Sequence, residues 1–121
     1  PALLSIENLE AWDPEFFAPV LDALPVSRVI DVGHFWLRDA DPLAHMERWL
    51  HRTRIIHLHG IAERDHASLQ AVPAGRLDPV VESLLEGFQG VVTLEVFSLE
   101  DLTSSLQALN DSLRRVDGGD H

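Results

Sequence analysis

The sequence has no cysteine, and this absence excludes disulfide bonds and every metal site built from thiolates. A metal ion in this protein would have to be held by histidine, aspartate and glutamate side chains. Such nitrogen and oxygen ligands suit zinc, manganese or iron better than copper(I) or an iron–sulfur cluster.

Lysine is also absent, so all 9 basic residues are arginine, against 20 acidic residues. The net charge of −11 repels phosphate backbones, which makes a general nucleic-acid binder an unfavourable interpretation. Clustered carboxylates attract bound cations instead. No apolar run reaches the length of a membrane span and no signal peptide opens the sequence, so we expect no membrane contact and a cytoplasmic location.

Short apolar runs alternate with helical patterns along the 121 residues. The predicted strands cover residues 1–8, 26–31, 55–59 and 91–96. The predicted helices begin at Asp13-Pro14, at Asp41-Pro42, at Asp78-Pro79 and after Ser98, and a long loop covers residues 60–76. This alternation predicts one α/β domain with a parallel sheet and right-handed crossovers.

The turn after the first predicted strand helps to choose between two architectures with parallel sheets. A doubly wound sheet usually has a glycine-rich turn after its first strand, and this sequence has none there. The remaining candidate is the (β/α)8 TIM barrel, which needs about 250 residues, so the chain supplies four βα units, or a half barrel. A half barrel leaves two strand edges and one sheet face uncovered. We therefore expect a homodimer or a complementary N-terminal half barrel as partner. Residues 117–121 are predicted to form a disordered tail.

The densest group of candidate metal ligands surrounds the third predicted strand. His57 and His59 are two residues apart, so they point the same way on a strand, and Asp65 and His66 follow in the next loop. Ionisable residues also end the other strands: Glu7, Asp31 with His34, and Glu95. Such side chains cost free energy at the ends of apolar strands unless they are paired or bind a cation. The pattern therefore predicts a metal site.

The order of these residues resembles the second half of the xylose-isomerase-like barrel superfamily, which contains endonuclease IV and the sugar-phosphate isomerases and epimerases. The resemblance covers residues 3–113 and lies in these motifs: Ile6-Glu7-Asn8, Asp31-Val32-Gly33-His34, His57-Leu58-His59, Asp65-His66 and Leu94-Glu95-Val96. Three segments are most similar to the cobamide-remodelling phosphodiesterases: Arg52 to Gly60, Asp65-His66-Ala67-Ser68-Leu69, and Thr93 to Phe97. Residues 1–121 would then be the C-terminal half of a TIM-barrel domain.

The resemblance implies a divalent-metal-dependent hydrolase for a small-molecule phosphodiester, with a B12-type corrinoid nucleotide loop as substrate and zinc or manganese as its ions. The implied metal ligands are Glu7, Asp31, His34, His57, Asp65, His66 and Glu95. Glu7 and Glu95 are the implied catalytic carboxylates. His59 is our candidate for a further catalytic or supporting group, and Arg64 and Trp36 are our candidates for substrate contacts.

Two other functions fit the same residues. A sugar or sugar-phosphate isomerase or epimerase needs one metal, and its two glutamates move a proton next to a carbonyl. The resemblance implies four ligands for that metal: Glu7, Asp31, His57 and Glu95. Such an enzyme does not require the pair Asp65 and His66, which therefore favours phosphodiester hydrolysis. A half barrel can also be a metal-binding fragment without catalytic activity.

Overall fold

The computed structural model describes residues 4–9, 12–62 and 66–118. They form a four-stranded parallel sheet in which the strands lie side by side in chain order. The strands are β1 (Ser5–Glu7), β2 (Ser27–Asp31), β3 (Thr53–Leu58) and β4 (Val91–Leu94). The predicted α/β class and the parallel sheet are confirmed, while closure into a barrel stays a prediction.

Helices alternate with these strands. They are α1 (Ala18–Ala23), α2 (Val32–Leu37), α3 (Leu43–Trp49), α4 (Ala74–Leu85) and α5 (Leu99–Gly118), with 3₁₀ turns at Pro14–Phe17, Leu50–Arg52 and Leu69–Ala71. Two predicted helix starts are confirmed by their caps, because Asp13 accepts a hydrogen bond from the N–H of Glu15 and Ser98 accepts one from Asp101. Within the described ranges, none of the helices is both long and apolar enough to span a membrane.

The hydrophobic core lies between one face of the sheet and the helices. Ile30 of β2 and Ile56 and Leu58 of β3 are completely buried in it. The helices contribute side chains spaced for one apolar face: Leu21, Met46, Leu77, Val80 and Val81. Because alternate strand residues point to opposite faces, the ionisable residues next to these core positions project from the other face of the sheet.

A bulge in β3 decides which side chains share that face. The pairing of β2 with β3 shifts by one residue between Arg28 and Val29, because Arg54 has no partner in β2. A shift by one residue moves every following side chain to the other face of a sheet. Asp31 consequently lies opposite His57, and both side chains face away from the core.

Helix α4 begins before Asp78, and Pro79 lies inside it, so the prediction of a helix start at this pair is wrong. The carboxylate of Asp78 has a different role, because it accepts hydrogen bonds from Ser112 (2.6 Å) and Arg115 (2.8 Å) of α5. The extended backbone of Pro73 precedes the first turn instead. A long-range ion pair between two helices has thus replaced the expected local cap.

Two segments are helical where irregular structure was predicted. His34 lies in the first turn of α2, which follows β2 directly, and its N–H donates to the carboxylate of Asp31 at 2.9 Å. At the other end of the chain, α5 continues to Gly118, into the segment predicted to be a disordered tail. The remaining residues of that tail, 119–121, lie outside the described part of the chain.

The face of the sheet opposite the core is partly open in the described residues. Val91 on this face is 61% exposed, and β1 and β4 are each paired on one side only. Unpaired strand edges favour association with further strands. A homodimer or a complementary N-terminal half barrel would cover these surfaces, and this partnership stays a prediction.

A buried polar network joins α3 to β2 on the helical side of the sheet. His45 is almost completely buried, and its Nε2 accepts a hydrogen bond from Nε of Arg28 at 3.2 Å. The proton of the neutral ring therefore lies on Nδ1, which donates to the carboxylate of Glu15. Burial, aided by the charge of Arg28, keeps the pKa of His45 below its ordinary value despite the opposing effect of Glu15.

We expect this network to make stability depend on pH. The unfolded chain binds a proton at His45 below about pH 6.5, whereas the folded chain binds one only at lower pH. The contribution of this network to the free energy of unfolding is therefore complete above about pH 6.5 and is lost as the pH falls through the pKa of His45 in the folded chain. His45→Asn should remove this part of the slope and lower the free energy of unfolding at high pH by about 1–3 kcal/mol.

Urea unfolding of the chelator-treated protein across this pH range measures both effects. His51→Asn is the matched control, because His51 is exposed and the same substitution should leave the slope unchanged. Equal slopes for the wild type and His45→Asn would show that the network does not control the pH dependence.

Candidate metal centre

The carboxyl ends of the strands bring ligand-type side chains into two adjacent groups. The first, which we call the carboxylate group, contains Glu7, Asp31, His57 and Glu95. The second, which we call the histidine group, contains Asp31, His34, His59 and His66. Within each group, one ligand atom from every residue lies within 4.8 Å of the others. Asp31 belongs to both groups.

The carboxylate group is centred on the imidazole of His57. Its Nδ1 lies 2.8 Å from Oε2 of Glu7, 2.6 Å from Oε2 of Glu95 and 3.9 Å from Oδ2 of Asp31. The hydrogen bond to Glu7 raises the pKa of His57, and the charges of the three carboxylates add to this effect against the opposing effect of burial. Three carboxylates that converge on one nitrogen form a strongly anionic site of the kind that binds divalent cations.

The histidine group is held together by ring contacts and by hydrogen bonds that include the backbone N–H groups of His34 and His66. The rings of His59 and His66 stack with centroids 4.2 Å apart and planes at 17°, and the His34 ring lies 5.5 Å from that of His59. The backbone of His66 has a left-handed φ of 55°, and its N–H donates to Nδ1 of His59 at 3.0 Å. Nε2 of His59 therefore carries the proton that is donated to Oδ1 of Asp31 at 2.7 Å.

Asp31 lies where the two ligand groups meet. Its carboxylate is completely buried, and Oδ1 accepts hydrogen bonds from the N–H of His34 and from His59. Oδ2 is also buried but has no hydrogen-bond partner among the described residues. Buried polar atoms nearly always have a partner, so an exception needs a physical explanation. A buried carboxylate that belongs to both ligand groups, with one oxygen free of hydrogen bonds from the described residues, fits a position that binds a cation.

The ionisation of Asp31 agrees with this role. Burial favours the neutral acid, but the hydrogen bond from His59 and the neighbouring imidazoles outweigh it and lower the pKa of Asp31. The carboxylate is thus kept in the charged form that metal ions require.

Comparisons with protein-family models, with curated proteins and with solved structures found no match. The resemblance to the xylose-isomerase-like superfamily therefore stays a prediction.

Asn8 belongs to the site although the sequence analysis gives it no role. Its buried side-chain amide donates to the carbonyl of Asp31 (2.9 Å) and accepts from the N–H of Asp31 (2.8 Å), which extends the pairing of β1 with β2 beyond Glu7. Its backbone carbonyl lies 2.9 Å from Nδ1 of His34, so that ring can present Nε2 to a ligand. The sequence signal that could have identified it is an asparagine placed directly after a strand-ending glutamate.

The structure places two further predicted residues in buried positions. His59 is completely buried and its Nε2 donates to Asp31, which agrees with the predicted supporting role, while its catalytic role stays a prediction. Trp36 is 5% exposed and packs in the hydrophobic core, and its contact with a substrate stays a prediction. Arg64 and Asp65 lie outside the described residues.

Proposed function

We propose that this chain is a divalent-metal-dependent phosphodiesterase whose ions are held by the carboxylate group and the histidine group. The observation that carries the proposal is Asp31, which belongs to both groups and has a buried oxygen without a hydrogen-bond partner among the described residues. Two-metal hydrolases hold their ions close together to clamp the attacking and leaving oxygens of phosphorus. A ligand shared by two adjacent groups suits such a pair of ions.

Each side chain has a distinct task in this proposal. One ion would be held by Glu7, Asp31, His57 and Glu95. The second would be held by Asp31, His34 and His66, while His59 orients Asp31 from behind. Bound divalent ions supply an activated water and neutralise charge at phosphorus. The side chains of Glu7 and Glu95 are 33% and 29% exposed, so both carboxylates can reach a substrate.

The substrate class follows from charge and from the family resemblance. A net charge of −11 disfavours a nucleic-acid strand and leaves small phosphodiesters. The resemblance to cobamide-remodelling enzymes implies the nucleotide loop of a B12-type corrinoid. Zinc and manganese are the proposed ions, because the ligands are imidazoles and carboxylates.

A one-metal sugar or sugar-phosphate isomerase is the second candidate. The observation that favours it is the completeness of the carboxylate group, in which Glu7 and Glu95 both lie within 2.8 Å of His57. Two glutamates beside one metal can transfer a proton at a carbon next to a carbonyl. The histidine group would then be dispensable, and this difference separates the two functions.

Replacement of His34 by alanine tests the choice. For a two-metal phosphodiesterase, we expect about two ions per chain in the wild type and about one in His34→Ala, with hydrolysis of bis(p-nitrophenyl) phosphate reduced at least about 100-fold. Elemental analysis and the release of nitrophenol measure these quantities. His51→Ala, at an exposed position, is the matched control and should behave as the wild type.

The other outcomes point to the other functions. About one ion per chain in both proteins, with sugar-phosphate isomerisation that survives His34→Ala, would establish the isomerase. Bound metal without either activity would establish a non-catalytic metal-binding chain. A wild type that binds no zinc or manganese would contradict all three.

A further inference from the structure

An exposed aromatic ring extends the histidine group toward solvent. Phe97 follows β4, two residues after Glu95, and its side chain is 77% exposed. Its ring stacks on that of His66, with centroids 5.0 Å apart and planes at 28°, and His66 in turn stacks on His59. The result is a stack of three rings, in which His59 at the buried end donates to Asp31 and Phe97 forms the exposed end.

Exposure alone would not give this phenylalanine a function, because single apolar side chains are common on protein surfaces. The position of the ring is the informative feature. Its stacking partner His66 lies in the histidine group and is 2.6 Å from Oε1 of Glu95 in the carboxylate group. Phe97 therefore places apolar, planar surface directly beside the carboxylates that would hold the metal ions at the reacting phosphodiester.

We propose that Phe97 determines specificity by stacking its exposed ring on a flat heteroaromatic group carried by the substrate beside the phosphodiester. This inference rests on the proposed phosphodiesterase function and specifies its substrate class. Planar heterocycles such as nucleobases stack well on phenylalanine, because every such ring has a π face. The acidic chain disfavours a strand with many phosphates, so the substrate is a small diester with one such ring.

Binding of product analogues tests the stack without relying on turnover. We would titrate the manganese-loaded chain with adenosine 5′-monophosphate and with ribose 5-phosphate, which carries a hydroxyl group in place of the planar base. The wild type should bind the adenine compound at least about tenfold more tightly, the usual effect of one stacked base. Phe97→Ala should lose this preference and retain its affinity for ribose 5-phosphate, while Phe97→Trp should retain the preference.

Phe16→Ala is the matched control, because Phe16 is 57% exposed and contacts the aromatic rings of Trp12 and Phe17. It should leave both affinities unchanged. Equal affinities in the wild type, or a preference that survives Phe97→Ala, would overturn the stacking role and leave the phosphodiesterase proposal intact. A loaded wild type that binds neither phosphate would overturn the proposed function, and the stacking role with it.

Discussion

Asp31→Asn should cause the largest loss of metal binding and of hydrolysis of any single substitution, because Asp31 belongs to both ligand groups. Oδ1 accepts two hydrogen bonds that an amide oxygen can also accept, from the N–H of His34 and from His59. Oδ2, which has no hydrogen-bond partner among the described residues, is replaced by an NH₂ group. This group offers no lone pair to a cation and points its hydrogens toward the cation's position. We expect bound metal to fall from about two ions to at most about one, and hydrolysis to fall at least about 100-fold.

The same substitution should leave the fold intact, because both hydrogen bonds to Oδ1 can persist. Elemental analysis, competition with a chelator and the rate of diester hydrolysis measure the loss, and urea unfolding checks the fold. Asp39→Asn is the matched control, since Asp39 is exposed and pairs with Arg76. Wild-type metal content and rate in Asp31→Asn would remove Asp31 from the site and end the two-metal proposal.

Gly33→Ala should disturb the site through His59, although Gly33 carries no chemistry of its own. A Cβ atom at this position would overlap the ring of His59, which is completely buried and stacked against His66. The ring can move only by breaking its hydrogen bond to Asp31. We expect a loss of about 1–3 kcal/mol in the free energy of unfolding. The metal affinity should fall by about 10–100-fold, as is common when a residue that orients a ligand is displaced.

Urea unfolding and a chelator competition measure both effects. Gly75→Ala is the matched control, because a Cβ there meets no atom of the described chain within 4 Å, and it should be neutral or slightly stabilising. Adding His59→Ala to Gly33→Ala removes the overlap, so the two stability losses should be less than additive while metal binding stays weak. Additive losses, or identical behaviour of the two glycine variants, would contradict close packing as the cause.

Much of the fold could be predicted because its signals are local. Near-continuous apolar runs indicated buried parallel strands, and the caps at Asp13 and Ser98 mark helix starts that the structure contains. The helix start predicted at Asp78-Pro79 is wrong because the interaction of Asp78 is not local. It depends on Arg115, which is distant in the sequence and adjacent only after α4 and α5 have packed together.

The sequence predicted which residues meet at the candidate site better than it predicted what each of them does there. Parallel strands bring their carboxyl ends to one edge, which is why Glu7, Asp31, His57 and Glu95 meet. The roles of Asn8, His59 and Trp36 depend on burial and on partners from other strands and helices. No spacing along the chain records those contacts.

Residue type and hydrophobic period act locally, so the amino-acid sequence was sufficient to predict the α/β class, the parallel strands and a candidate metal site without thiolates. The assembled fold was needed to show that Asp31 belongs to both groups and that its Oδ2 has no hydrogen-bond partner among the described residues. It also decided, through the bulge at Arg54, that His57 faces Asp31 instead of the core. These features arise when separate strands pair in one register, and register is a property of the assembled sheet.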